Sequence, residues 1–242
     1  MLKTYKGRGV VLSTVKYGDN GMVVQMLTST AGRQSYMVQG VKSSRGRGSK
    51  MALFQPLFAL EFEGLEPSRG ELHRFREVRS GITLRRTPFD VRRSTIALFM
   101  AEVLYRLVKE SECNPHLFDF VWGSIEALDT LDEGVANFHL WFLSHLSRLL
   151  GFSPCNNYSK GAWFDIKEGA YTLTMPLHKV VMEPQDAIIL RDMIECDARH
   201  LGEIGLNRTE RVRFLKSMLT YYGYHLDSIH SVQSISILQE LF

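Results

Sequence analysis

The stretch Lys6-Gly-Arg-Gly-Val-Val-Leu-Ser-Thr-Val-Lys-Tyr17, followed by Gly18-Asp-Asn-Gly21 and Met22-Val-Val-Gln-Met-Leu-Thr28, decides the fold class. Its apolar runs are short, rich in β-branched residues and broken by turn formers, which is the composition of strands. It reads as two strands, Lys6–Tyr17 and Met22–Thr28, joined by a turn whose residues favour a tight hairpin. A Ser29–Gly32 turn follows. Arg33–Val41 is a third strand, with Tyr36 and Val38 on one face and Ser35, Met37 and Gln39 on the other. Lys42–Lys50 is a loop by composition. Met51–Glu63 reads as a fourth strand, with Pro56 placing part of it at an edge or bulge. Glu71–Arg79 reads as a fifth, although Leu72, Phe75 and Val78 are spaced for a helix equally well. Five short strands within about 80 residues predict a small closed or partly open barrel.

From residue 85 the period changes. Thr87-Pro88 reads as a cap followed by proline at the first helical position. Ile96, Phe99, Met100, Val103, Leu104 and Leu107 then form an apolar stripe at helical spacing. Asn114-Pro115 repeats the start signal for a helix carrying Leu117, Val121, Ile125 and Leu128. A third helix is expected over Ala136–Leu150, stopped at Gly151. Residues 152–183 lose the helical period and predict turns with short strands at Ala162–Ile166 and Ala170–Met175. Pro184 opens another helix, and Asn207–Tyr224 is the last long one. The 242 residues thus divide into a barrel domain over 1–82 and a helical domain over 87–242, the latter interrupted by a β-rich insertion at about 152–183. An α+β, multi-domain protein is expected.

The chain is 45% hydrophobic and 23% charged, which excludes wholesale disorder. No run approaches the roughly 18 uncharged apolar residues that a spanning helix needs. The opening Met-Leu-Lys-Thr-Tyr-Lys lacks the apolar core of a secretory signal. Three dispersed cysteines, Cys113, Cys155 and Cys196, cannot form a disulfide framework and fit a reducing compartment. A soluble, cytoplasmic protein is expected.

Motifs for chemistry are absent. Ser13 and Lys16 have the spacing of a serine–lysine pair, but on a strand an odd offset puts them on opposite faces. Gly7-Arg-Gly9 lacks the third glycine of a dinucleotide fingerprint, since position 12 is leucine. A phosphate loop counted from Gly40 would need glycine at 45 and lysine at 46, where the chain has Arg45 and Gly46. Cys196 and His200 are four apart and would supply half a zinc site at most. No enzyme, metal or cofactor is expected.

Charge is the informative quantity. Residues 1–94 carry 17 Lys and Arg against 7 acids, a net +10, and residues 95–242 carry 12 against 19, a net −7. A basic half of this kind suits a polyanion, and an acidic half suits other partners. In Lys42-Ser-Ser-Arg45-Gly-Arg47-Gly-Ser-Lys50 four cations alternate with small residues and no acid intervenes, so the run can follow a phosphate backbone. Lys3, Lys6, Arg8, Lys16 and Arg33 add to it, as does a second run of Arg74, Arg76, Arg79, Arg85, Arg86, Arg92 and Arg93. Tyr17 and Tyr36 suit either stacking on unpaired bases or packing in the barrel core. Binding to single- and double-stranded DNA is the reading. An RNA-binding barrel module or a duplex-reading regulator are the alternatives, the latter disfavoured because the helices after residue 110 carry few Arg or Lys.

An ordered series of short motifs resembles the recombination mediator and DNA-repair family RecO: Gly9-Val-Val-Leu12, Tyr17-Gly-Asp, Gly32-Arg33, Gln39-Gly-Val-Lys42 and Phe54-Gln-Pro-Leu57. Leu149-Leu-Gly-Phe-Ser-Pro154 matches the point where that family leaves its helices for a zinc-ribbon-like insertion. Arg213-Phe-Leu215, Tyr224-His-Leu226 and Ser234-Ile-Ser-Ile-Leu238 match its closing segment. The resemblance implies an N-terminal oligonucleotide-binding (OB) barrel and a C-terminal helical domain. It also implies strand annealing, and loading of RecA with RecR onto single strands coated by SSB, whose tail docks on the helical domain. A nucleoid-associated location follows from that activity. Many members carry two C-x-x-C pairs for zinc in the insertion. Here Cys155 stands alone, followed by Asn156 and Asn157, so the chain resembles the zinc-free branch, with Trp163, Phe164 and Tyr171 expected to hold the insertion by packing.

Overall fold

The computed structural model describes residues 3–39, 50–66, 72–109 and 113–242. They form two compact units. One comprises Met1–Phe89 and Met100–Asp129, the other Asp90–Phe99 and Thr130–Phe242.

The first unit is built on a closed five-stranded barrel of β1 (Thr4–Tyr17), β2 (Gly21–Thr28), β3 (Gly32–Gln39), β4 (Ala59–Leu65) and β5 (His73–Ser80), ordered β1-β2-β3-β5-β4. Alternation sets its inside: Met22, Val24 and Met26 of β2 and Tyr36 and Val38 of β3 are buried together with Val11, Leu60 and Phe62. The hairpin turn forms as its composition dictates. Gly18 takes φ +61°, and a Cβ on Gly21 would lie 2.7 Å from the Tyr17 carbonyl oxygen, so both positions need glycine. A bulge between Val11 and Ser13 bends β1 so that it pairs with β4 on one side and β2 on the other. β5 closes the barrel, antiparallel to β4 and parallel to β3 through Tyr36↔His73 and Met37↔Arg74.

Two parts of the barrel differ from the sequence expectation. Met51–Glu63 is not one strand. Lys50–Phe54 is a 3-10 turn, and the ladder begins only at Ala59. Pro56 has no N–H to donate and Leu57 adopts φ +65°, which breaks the extended chain. The apolar residues between turn and strand instead face inward, with Phe54 and Leu57 at 3% and 2% exposure. The three-residue spacing of Phe75 and Val78 has a strand explanation as well. The register shifts between Glu63 and Gly64, so β5 carries one extra residue and both side chains pack on the barrel core.

Two helices contribute to this unit: residues 100–107 of α1 (Val91–Leu107) and residues 115–129 of α2 (Pro115–Thr130). Asn114 caps α2 through a 3.0 Å bond from the Leu117 amide. Near the other end of α2 the buried Asp129 carboxylate accepts three backbone N–H groups, from Arg85 (2.9 Å), Arg86 (3.0 Å) and Thr87 (2.8 Å). Burial opposes its charge, but the donors prevail and hold its pKa below the ordinary carboxylate value. Asp129→Asn keeps the shape but turns an amide group toward donors. We expect a loss of about 2–3 kcal/mol at pH 7 in urea unfolding, the scale of one or two charge-assisted bonds or stranded amides. Because the folded pKa is depressed, this stabilisation is complete above the unfolded value of about 3.9 and is lost as pH falls through the folded one. The gap between wild type and variant should therefore be flat from about pH 5 to 8 and close below about pH 4. Equal stability at pH 7 would refute the assignment.

The second unit is helical. Asp90, rather than Thr87, caps α1: its carboxylate accepts from the amides of Arg92 (2.8 Å) and Arg93 (3.1 Å). Thr87-Pro88 begins a 3-10 turn instead. α3 (Phe138–Leu149) ends at Gly151, which takes φ +90°. α4 (Pro184–Glu195), α5 (Arg208–His225) and α6 (Ile235–Leu241) follow, α5 opening on a capping box between Asn207 and Glu210. Between α3 and α4 lies the β-rich insertion, a sheet of β6 (Trp163–Asp165), β7 (Ala170–Thr172) and β8 (Val181–Met182) in the order β7-β6-β8. Phe164 and Tyr171 are buried and Trp163 is half-buried. Asn157 clamps β7 with both ends of its amide, donating to the Tyr171 carbonyl and accepting from the Tyr171 N–H, each at 3.0 Å. Cys155 is exposed, and its amide bonds the Gly169 carbonyl at 2.8 Å. Among the described residues no group of three or more His, Cys, Asp or Glu is placed to hold a metal ion.

Candidate nucleic-acid interface

The cations singled out in the sequence fall into three kinds. Some are held by their own unit. Arg33 donates to Gln25 (Nε 3.0 Å) and to the backbone carbonyls of Tyr105 (2.9 Å) and Val108 (3.3 Å), with its guanidinium 4.4 Å from the centroid of the Tyr105 ring. Five donors in a planar fork suit this pinning role, and they leave little of Arg33 to offer a phosphate. Arg8 lies 5.2 Å from the Trp122 ring and 5.3 Å from Phe118, with Asp119 at 3.5 Å. These α2 and α1 partners lie far from the strands in sequence, and nothing local to Arg8 or Arg33 signals them.

Others are matched by acids. Arg76 pairs with Glu63 at 2.9 Å, and Arg79 with Glu61 at 2.5 Å. Both pairs flank an open groove of about 550 Å³ on the outer surface of β1, β4 and β5, lined by Lys6, Arg8 and Arg79 but also by Glu61, Glu63 and Glu77. The run at 74–79 is thus less positive than its arginine count suggests. Exposed ion pairs of this sort are weak, about 0–1 kcal/mol each, so a phosphate can compete for them.

The third kind has no acidic partner among the described residues: Lys6 and Lys16 on β1 and Arg74 on β5, all exposed. Arg85 and Arg86 are also exposed, and their amides serve Asp129. Lys42, Arg45 and Arg47 lie outside the described residues, and of Lys50 only the backbone, opening the 3-10 turn, is described.

The two tyrosines separate cleanly. Tyr36 is 1% exposed, its ring stacked on Phe75 with centroids 4.4 Å apart and its hydroxyl 3.0 Å from that of Tyr5, which in turn meets His73 Nδ1 at 2.7 Å. Burial pushes the Tyr36 phenol far up in pKa and His73 down. A ring enclosed in this way has no free face for a base, so the expectation that Tyr36 is a DNA contact is corrected to a core role. Tyr17 is 62% exposed.

Sequence comparison identifies this arrangement. The profile of Recombination protein O N terminal matches residues 1–81, which contain the barrel, and that of Recombination protein O C terminal matches residues 88–233. The chain belongs to the RecO family. It is 38% identical over 236 residues to the DNA repair protein RecO of Bacteroides fragilis, covering 97% of each chain. It is 36% identical over 235 residues to that of Phocaeicola vulgatus, with 97% of each covered, and 32% identical over 238 residues to that of Flavobacterium psychrophilum, with 98% of each covered. RecO membership gives the chain a role in DNA repair and recombination. The closed barrel joined to a helical region is the RecO arrangement, and no helix among the described residues is long and apolar enough to cross a membrane.

Proposed function

We propose that this RecO-family chain is a non-enzymatic DNA-binding and strand-annealing protein. Together with RecR it helps to load RecA onto single strands coated by SSB. The observation that carries the reading is the charge split: a net +10 over residues 1–94, which contain the barrel, against −7 over the rest. Two DNA strands repel each other along their whole length. Cations on one small barrel can neutralise segments of both, so that pairing nucleates without a chemical step. The acidic remainder suits protein partners better than DNA, and the SSB tail, itself acidic, requires a local basic site within it. Support comes also from the exposed Lys6, Lys16 and Arg74, which lack acidic partners among the described residues.

The test is binding to single-stranded DNA, duplex DNA and RNA of equal length at about 50 and 200 mM salt, with annealing of complementary strands read in parallel. Both DNA forms should bind, with affinity falling steeply over that salt range. Annealing should need no nucleoside triphosphate. Binding to none of the three, or to RNA alone, would overturn the proposal.

A further inference from the structure

Within the helical unit, the start of the β-rich insertion meets α3 and α4 around a cavity of about 410 Å³, a size that suits a small organic molecule. Tyr158, Tyr171 and Ile194 line its apolar part, and Arg148 from the last turn of α3 and Arg191 from α4 line the rest. Tyr171 is 7% exposed, with Phe164 and Tyr158 edge-on to its ring at centroid distances of 5.1 and 5.3 Å. Its hydroxyl oxygen is buried and has no hydrogen-bond partner among the described residues. The charges acting on that hydroxyl include those of Arg191 and Glu195, which line the cavity, so it faces that space. Burial pushes its pKa far up, and at neutral pH it keeps its proton and can donate. A stranded buried hydroxyl destabilises a fold, so its presence calls for a partner that the chain does not supply. Two further donors meet it there. Arg191 gives Nε to Asp192 at 2.8 Å and one terminal nitrogen to the same oxygen at 2.5 Å, which leaves its other terminal nitrogen without a partner among the described residues. Arg148 is exposed, and its side chain has neither an ion pair nor a hydrogen bond among the described residues.

We infer that this cavity binds a small organic anion, whose phosphate or carboxylate accepts from Tyr171, Arg191 and Arg148 while an aromatic or apolar body covers Tyr158 and Ile194. The inference stands apart from DNA binding. All three unsatisfied groups are donors, two of them on guanidinium groups, and the acceptor that suits such a set is an anionic oxygen. Two features oppose the charge, and both are weak. Glu195 lines the cavity, but its side chain is 64% exposed and 3.9 Å from Arg191, a pair that a bound anion can replace. The C-terminal ends of α3 and α4 would favour a cation. Their last carbonyls are already taken, those of Leu146, Ser147 and Arg148 by the amides of Leu150, Phe152 and Gly151, and that of Asp192 by the amide of Cys196.

The test titrates the full chain with phenyl phosphate, benzoate, inorganic phosphate and phenol by calorimetry. The first two carry both parts of the ligand and separate a phosphate from a carboxylate. The last two carry one part each and should bind about tenfold more weakly or worse. Arg148→Ala and Tyr171→Phe should each weaken the better aromatic anion about tenfold, the loss of one charge-assisted hydrogen bond. Tyr171→Phe should nevertheless melt at or above the wild-type temperature, because the hydroxyl it deletes has no partner to lose. Cys155 is exposed and lines the same cavity, so bound ligand should slow its alkylation by iodoacetamide about threefold or more. Cys113, exposed in the other unit, should react at its usual rate. Binding of neither aromatic anion, undiminished binding by both variants, or an unprotected Cys155 would overturn the site. A lower melting temperature for Tyr171→Phe would show that a buried water already satisfies the hydroxyl, and would overturn it too. None of these outcomes touches the DNA-binding proposal.

Discussion

Replacing Tyr36 with alanine is expected to cost the barrel about 3–5 kcal/mol, the range for deleting a large aromatic from a packed core. The ring is enclosed by Phe62, Phe75 and His73, with centroids 5.2, 4.4 and 5.3 Å away. It stands at Tyr36↔His73, one of the two pairs registered between β3 and β5 among the described residues. At roughly 2–4 °C per kcal/mol for a chain of this size, a fall in melting temperature of about 10 °C is expected. Tyr36→Phe keeps the ring and loses only the hydroxyl contact with Tyr5, a loss of about 1 kcal/mol. The pair of variants separates packing from DNA contact. Below its melting temperature Tyr36→Phe should bind single strands as tightly as wild type, and Tyr36→Ala should lose affinity only in step with unfolding. Calorimetry and binding measured on the same samples check this. A stable Tyr36→Ala variant with lost affinity would return Tyr36 to the interface.

Why Tyr36 and Tyr17 were not separable in the sequence is instructive. Both are tyrosines on strands, and the alternation that places Tyr36 with Val38 was legible. Tyr17 precedes a turn, and whether its ring is covered depends on a cross-strand partner. Here that partner is Gly21, two residues past Asp19, and only the register supplies it. The hairpin, the third strand and the caps at Asn114 and Gly151 were legible because each is a local preference. Lys50–Phe54 was not, because its apolar run looks like strand until Pro56 and the positive φ of Leu57 are seen to fold it inward. β5 was ambiguous because a bulge converts alternation into a spacing of three. The insertion's strands were legible approximately, and the short β8 and α6 were missed, since two strand residues and seven helical ones carry little periodic signal.

The same distinction governs the charges. Their number over residues 1–94 is a sequence property, but their availability is not. Arg33 is held by carbonyls about 72 and 75 residues away, and Arg8 by aromatic rings more than 100 residues away. Arg76 and Arg79 are balanced by glutamates on the neighbouring strand. No local pattern announces any of these partners. What composition does announce is a segment lacking both acids and apolar side chains, and Lys42–Lys50 is such a segment.

That segment carries the second large expectation. Alanine at Lys42, Arg45, Arg47 and Lys50 together should reduce single-strand affinity by up to about 10²–10³-fold near 0.1 M salt. Four phosphate contacts release about 0.7 counterion each, and the slope of log K against log salt should shrink by up to about 3. The loss should be nearly equal for different base sequences and for strands with and without bases, because phosphate contacts carry no sequence information. Annealing should fall with binding, as both depend on the same neutralised backbone. Stability should change little, since the run contains no apolar side chain to bury and surface substitutions usually stay within about 0.5 kcal/mol. Unchanged affinity, slope and annealing in the fourfold variant would move the phosphate path off this segment and onto Lys6, Lys16 and Arg74. The same three measurements on alanine variants at those positions would then locate it.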